Sequence, residues 1–242
     1  MNEWLFIVSL FVVSVLYSSV GHGGASSYLS LMAIYGLSVT EIRPSVLILN
    51  ILVSSIAFFQ YARQGHFDWK KALPFLLLSI PMAYWGATFT LDLKIYKTIL
   101  GVLIIIPVIR LLGLLPIKEK KMVAIPWIPA LLIGAFIGYV SGLIGIGGGI
   151  LLSPILLFFA WANMKQTAAI SALFIALNSF TGLNSLSQKQ DILLTMPWLW
   201  WSIAFLGAMI GSTWGSRIAG MKALQYTLAV VLMLASIKLI LY

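Results

Sequence analysis

Apolar residues along this chain come in long runs separated by short polar stretches. Two runs are too long to be single membrane helices, Trp4–Tyr35 and Pro126–Trp161. At ~1.5 Å per residue the second would measure roughly 54 Å, against a hydrocarbon core of about 30 Å. Each run must therefore be interrupted, and each carries a glycine cluster inside it: Gly21-His22-Gly23-Gly24 in the first, Gly145-Ile146-Gly147-Gly148-Gly149 in the second. Glycine costs about 1 kcal/mol in a helix interior and readily takes a positive φ. The pattern predicts, in both places, two short helices meeting at a glycine turn inside the membrane. The arms of the first are Trp4–Val20 and Ala25–Leu37, and the second arm of the second begins at Ile150. Backbone at that depth is tolerated only where it is buried in protein or lines a polar cavity, as at a transporter site.

The two halves of the chain share this plan. A shift of about 124 positions lays Gly21, Gly23 and Gly24 on Gly145, Gly147 and Gly148, and Ser54-Ser55 on Asn178-Ser179. The division is residues 1–115 as a first transmembrane repeat, 116–125 as a basic connector and 126–242 as a second repeat. Each repeat holds a broken pair followed by three spans, which are Ser45–Ala62, Leu73–Leu91 and Thr98–Leu115 in the first half. In the second half the spans after the broken pair include Gln166–Leu186 and Ala223–Leu241. A polar loop from Ser38 to Arg43 precedes Pro44, which suits a first helical turn. Pro81 predicts a kink, and Pro107 falls inside the third span. Gly134, Gly138 and Gly142, and again Gly207, Gly211 and Gly215, recur four apart and read as close-packing stripes. Trp198, Trp200 and Trp201 fit an interfacial aromatic belt.

If each broken pair returns to its own side, three crossings per half invert the second repeat. Arg63, Lys70, Lys71, Arg110, Lys118, Lys120, Lys121, Lys165, Arg217 and Lys222 then share one side. Arg43, Lys94, Lys97, Lys189 and Lys238 share the other. The richer side is expected to be cytoplasmic and both termini to lie opposite it. A single crossing by each run gives a parallel repeat and a smaller asymmetry. The fold expected is thus an all-α polytopic membrane protein of two inverted repeats, each with a glycine-broken re-entrant pair plus three transmembrane helices.

Composition agrees. Of 242 residues 61% are hydrophobic and only 9% charged, with mean hydropathy +1.05, against ~25% charged in a soluble chain. The net charge of +9 is read as loop residues that fix topology, not as a nucleic-acid surface. With no cysteine, thiolate chemistry and cysteine-based metal sites are excluded. The first segment lacks a basic leader and is expected to be retained.

The acidic residues Glu3, Glu41, Asp68, Asp92, Glu119 and Asp191 all fall in predicted loops or at the terminus. That argues against a carboxylate-built cation site or a carboxylate proton relay. The interior offers hydroxyls, amides, glycine N–H groups and one imidazole, a lining suited to an anion with several oxygens. Candidate substrate-binding residues are His22, Gly23, Gly24, Ser26, Asn50, Ser54, Gly147, Gly148, Gly149, Ser171 and Asn178. No catalytic residue, metal ligand or cofactor is expected. His22 is the one ionisable side chain deep in a predicted span, so it is a candidate for anion binding or proton coupling. His66, beside Asp68, reads as a solvated loop residue.

Three stretches, Tyr17–Ser26, Leu49–Ala57 and Gly142–Gly149, together resemble the TauE/SafE family of sulfite exporters and related permeases. The resemblance covers nearly the whole chain. It implies a secondary transporter of the cell inner membrane for small sulfur anions such as sulfite or sulfonates, working by alternating access around the two turns. The expected partners are a small anionic substrate and the lipid bilayer. Proton coupling and a homo-oligomer stay open. Two other classes stay open as well: a passive anion channel, and an intramembrane hydrolase built on Ser141 and His22.

Overall fold

A computed structural model describes residues 3–35, 39–89, 122–188 and 196–241. Every long element among them is an α-helix: α1 (Glu3–Ser19), α2 (Ala25–Tyr35), α3 (Val39–Arg63), α4 (Trp69–Ala87), α5 (Trp127–Ile144), α6 (Gly149–Phe158), α7 (Met164–Ser187), α8 (Trp198–Thr213) and α9 (Met221–Leu241). A π-helical turn, Trp214–Ile218, extends α8. Three stretches, Ile42–Arg63, Trp127–Ile144 and Met164–Ser187, are long and apolar enough to cross a membrane. Among the described residues the protein is all-helical, with the apolar helices of a membrane protein.

Both overlong runs break at their glycines. Gly21 and Gly24 have φ of 74° and 93°, and Gly145, Gly147 and Gly148 of 83°, 76° and 76°. A side chain is strained in that region, so the break belongs where glycine supplies it. Gly145 ends α5 and donates its N–H to the Ser141 carbonyl at 2.8 Å. Each break reverses the chain. Ser14 Oγ lies 2.8 Å from Tyr28 Oη, and Tyr17 Oη lies 2.8 Å from Ser27 Oγ. On one continuous helix Ser14 and Tyr28 would stand about 21 Å apart, so α2 folds back along α1. In the second pair the Val123 N–H donates to the Ala160 carbonyl at 3.0 Å. The end of α6 has therefore returned beside the segment that enters α5.

The glycine stripes set how the hairpins seat. Gly134, Gly138 and Gly142 of α5 face the backbone of Phe75, Ser79 and Ala83 of α4. Gly207, Gly211 and Gly215 face Phe11, Val15 and Ser19 of α1. Residue numbers rise together in both sets, so α5 runs parallel to α4, and α8 parallel to α1. Between α3 and α7 the order reverses: Asn50 meets Ser179, Leu47 meets Gly182, and Tyr61 packs in one cluster with Ala168. These two helices cross antiparallel through the middle of the bundle.

Several local expectations are corrected. The polar stretch before Pro44 is not a loop throughout. Helix α3 begins at Val39 and carries Arg43 and Pro44 inside it. Pro74 and Pro81 both lie inside α4, which continues to Ala87. Trp198 is 77% exposed, as a belt residue would be. Trp200 is only 3% exposed and packs on Phe6 with ring centroids 4.1 Å apart, because its apolar surface has a core partner. His66 is half-buried, with Nε2 3.2 Å from the Ser216 carbonyl. The span Thr98–Leu115 with Pro107, most of the basic connector, and Asp92, Lys94, Lys97, Lys189 and Asp191 lie outside the described residues.

The stripes generate a direct test. A Cβ on Gly138 would overlap the Ser79 backbone, whereas Gly220 has nothing within 4 Å. Gly138→Val is expected to cost about 1–3 kcal/mol or more from overpacking, and to lower the thermal midpoint of the protein in detergent. Gly220→Ala should leave the midpoint unchanged. Equal midpoints for both variants would contradict this packing.

Candidate functional site

A helix that stops inside an apolar bundle leaves four carbonyls without intrahelical partners. At both breaks side chains supply donors, from α3 and from the first turn itself. The Tyr61 hydroxyl donates to the Ser19 carbonyl at 2.5 Å, and His22 Nδ1 to the Val20 carbonyl at 3.0 Å. At the end of α5, Arg43 Nη2 donates to the Gly142 carbonyl at 2.9 Å and to the Leu143 carbonyl at 3.1 Å. The starts of the returning helices are treated differently. Gly148 stands at the N-cap of α6 and offers no side-chain acceptor. Gly24 stands before α2 and has none to offer. At α6 no N-cap side chain accepts from the first N–H groups, which hold the positive end of the helix dipole.

His22 is fully buried. Its Nδ1 faces a carbonyl, which can only accept, so Nδ1 carries the hydrogen and Nε2 of the neutral ring accepts. Nε2 lies 3.3 Å from Ser153 Oγ, which lies 2.7 Å from Ser171 Oγ. The hydroxyl directions then follow: Ser171 donates to Ser153, Ser153 to His22, and His22 to Val20. This chain links the first turn to α6 and α7.

Asn50 lies between the two turns. Its Nδ2 donates to Ser179 Oγ at 3.3 Å. A Cβ on Gly23 would overlap Asn50 Oδ1, and one on Gly147 would sit 3.0 Å from Asn50 Nδ2 and 2.9 Å from Ser179 Oγ. Only glycine lets both turns close on this amide. Several polar atoms around it are buried without partners: Asn50 Oδ1, both side-chain atoms of Asn178, and Ser141 Oγ. Among the described residues no group of three or more histidine, cysteine, aspartate or glutamate side chains stands together to hold a metal.

The structure thus brings together His22, Gly23, Asn50, Gly147 and Ser171 through direct contacts. Gly149 belongs with them, since a Cβ there would meet Ile175 and approach the Ser171 carbonyl. Gly148 packs against Ile137, Phe174 and Ser141. Asn178 is 1% exposed, one residue from Ser179. Gly24 and Ser26 lie a step away, against the Tyr28 ring and the Tyr17 hydroxyl. Ser54 donates to the Asn50 carbonyl of its own helix at 2.5 Å, so it closes a helical bond rather than facing a turn. The serine facing His22 is Ser153, not Ser141.

Sequence reading did not single out Arg43 or Ser153. Arg43 was hidden in a stretch that reads as a loop. Ser153 left a signal, being the single polar side chain in the apolar segment of α6.

Comparison with known proteins adds the family. The model of the family "Sulfite exporter TauE/SafE" matches residues 5–239. A probable membrane transporter protein of Sinorhizobium fredii is 35% identical over 239 residues, covering 96% of each chain. Another, from Methanocaldococcus jannaschii, is 28% identical over 195 residues, covering 75% of this chain and 71% of the relative. No solved structure matches. A full-length match to the family model, over a chain whose two glycine hairpins close on one buried amide, places this protein in the TauE/SafE family of membrane transporters.

Proposed function

We propose that the protein is a multi-pass secondary transporter of the cell inner membrane. It moves a small, sulfur-containing oxyanion such as sulfite or a sulfonate by alternating access around the two glycine turns. The observation that carries this reading is the pairing of the helix start at Gly148, which has no side-chain cap, with the buried, unpartnered Nδ2 donor of Asn178. Donors that lack acceptors in an apolar bundle are costly, about 1–3 kcal/mol each. A ligand rich in acceptor oxygens satisfies them. The name of the family model points to sulfite among such anions.

The helix directions support an inverted repeat. With α1 running one way, α2 returns, α3 follows α1 and α4 opposes it. Helix α5 then runs with α4, α7 against α3, and α8 with α1. Helices α5 to α8 thus oppose α1 to α4, their counterparts among the described residues. Two hairpins entering from opposite sides give the two gates that alternating access requires. The site side chains His22, Asn50, Ser171 and Asn178 are at most 1% exposed, a closed state that suits a carrier better than an open channel. Ser141 has no partner, and no base reaches it, which favours transport over hydrolysis. In the proton-coupled form of this scheme His22 takes up a proton at Nε2. Ser153 then turns from donor to acceptor, and the hydroxyl chain to Ser171 reverses.

Asn50→Leu keeps the volume and removes the amide. Losing a hydrogen bond to a charged ligand costs about 1.5–3 kcal/mol, so sulfite affinity in proteoliposomes should fall about 10–100-fold. Unchanged affinity would remove Asn50 from the site. Gly148→Val places a branched side chain at φ +76°, where even a Cβ sits 2.8 Å from Ile137 and 2.9 Å from Phe174. It should abolish uptake while the protein still reaches the membrane. An imposed pH gradient should speed uptake by the unmodified protein and leave His22→Gln unaffected. An equal response in both would show that the proton does not pass through this ring.

A further inference from the structure

Arg43 is half-buried on α3, the central helix, and its guanidinium reaches the end of α5 and the Gly145 turn. Nη2 spends its hydrogens on the carbonyls of Gly142 and Leu143. Nε–H, on the same edge of the guanidinium, is buried with no acceptor. That edge is the one that grips two oxygens of an oxyanion at once, and charge-assisted pairs of this kind are roughly twice as strong as bonds between neutral groups. An oxyanion cannot occupy the edge while both carbonyls hold Nη2. It fills the vacant Nε–H and displaces one carbonyl.

We infer that Arg43 is an anion-operated latch on the second hairpin: it holds the end of α5 through Gly142 and Leu143 in the closed state, and exchanges a carbonyl for the substrate's oxygens when the hairpin opens. The inference rests on the oxyanion reading above and adds how binding releases a gate. A carbonyl freed at the end of α5 loses the donor that Arg43 supplies. Gly145, at φ +83° next to it, is the residue able to absorb the backbone change. Among the described residues the first hairpin shows no such device. Its Ser19 carbonyl is held by the Tyr61 hydroxyl, which is neutral and offers a single donor. The latch therefore belongs to one gate. Arg43 here is a positioning residue for the hairpin as well as a contact for the anion.

The chain has no cysteine, so a single reporter can be introduced. Ser141→Cys lies in the last turn of α5, 2% exposed in the native residue. Its labelling by a water-soluble thiol reagent is followed in proteoliposomes of the full chain, with sulfite, methanesulfonate or chloride present, and sulfite uptake is measured on the same protein. The expected result is faster labelling with sulfite than with chloride when Arg43 is present. In R43Q labelling should be fast in every anion, with the sulfite response lost. R43K keeps a charge but lacks the two-donor edge. It should lose the sulfite response while retaining the fold, and it carries the test if R43Q does not assemble. A sulfite response that persists in R43Q or R43K overturns the latch. So does a protein with Arg43 that transports sulfite while its labelling ignores sulfite. If the protein with Arg43 transports neither sulfite nor methanesulfonate, the oxyanion reading falls and the latch falls with it.

Discussion

The structure depends on one constraint: a helix that ends where water is absent must find hydrogen-bond partners within the protein for its last carbonyls. This chain ends two helices in that position, α1 and α5. The residues that supply donors come from far along the chain, Tyr61 for Ser19 and Arg43 for Gly142 and Leu143. Those bonds fasten each hairpin to α3, and α3 in turn crosses α7 at Asn50 and Ser179. The central pair of helices is therefore the frame, and the hairpins hang on it through their own unsatisfied ends.

The same constraint explains why the site is polar on one side of each turn only. The carbonyl ends are capped by side chains. The amide end of α6, at Gly148, has glycine at its cap and no side-chain cap bond. Serine, aspartate or asparagine at an N-cap would normally accept from these N–H groups and stabilise a helix by about 1 kcal/mol. Glycine forgoes that bond, and the donors stay available. Close approach requires glycine for a second reason. The amide of Asn50 fills the space where side chains at Gly23 and Gly147 would be. One residue type thus meets the demand for positive φ, the demand for close contact and the demand for free N–H groups.

Much of this was legible in the sequence, because the strongest signals were local. An apolar run longer than the membrane is thick must break, and glycine marks where. Glycine four apart marks a face on which another backbone can rest, and both stripes pack that way. What stayed hidden was long-range pairing. Thr40-Glu41-Ile42-Arg43-Pro44 has the polarity of a loop, yet it is helical. Arg43 is stabilised there by carbonyls about a hundred positions away that no local pattern announces. Trp200 read as an interface residue because tryptophan often is one, and its contact with Phe6 overrides that tendency. Ser153 was legible in principle, as a lone hydroxyl in an apolar segment, but its meaning depended on His22, which a different hairpin delivers.

The two halves share a plan and differ in chemistry at the decisive points. The first turn carries His22 where the second carries Ile146. The first hairpin is held by a phenol and the second by a guanidinium. In the proposed transport cycle such differences make the two gates unequal in how readily they open, and that is a statement about rates. It does not set the direction of net movement. A protein can only shift an equilibrium by its differential affinity for two states, and a carrier returning to its starting state leaves the gradient of its cargo unchanged as the driving force. Direction must come from the anion gradient itself or from a second gradient joined to it. In the transport cycle proposed above, the group assigned to that junction is the imidazole of His22, whose hydroxyl chain reaches α6 and α7 from the first turn. On that proposal, the asymmetry between the turns is the point where two similar hairpins would take up a coupled ion, and the proposed latch on the other hairpin would govern when the anion is committed.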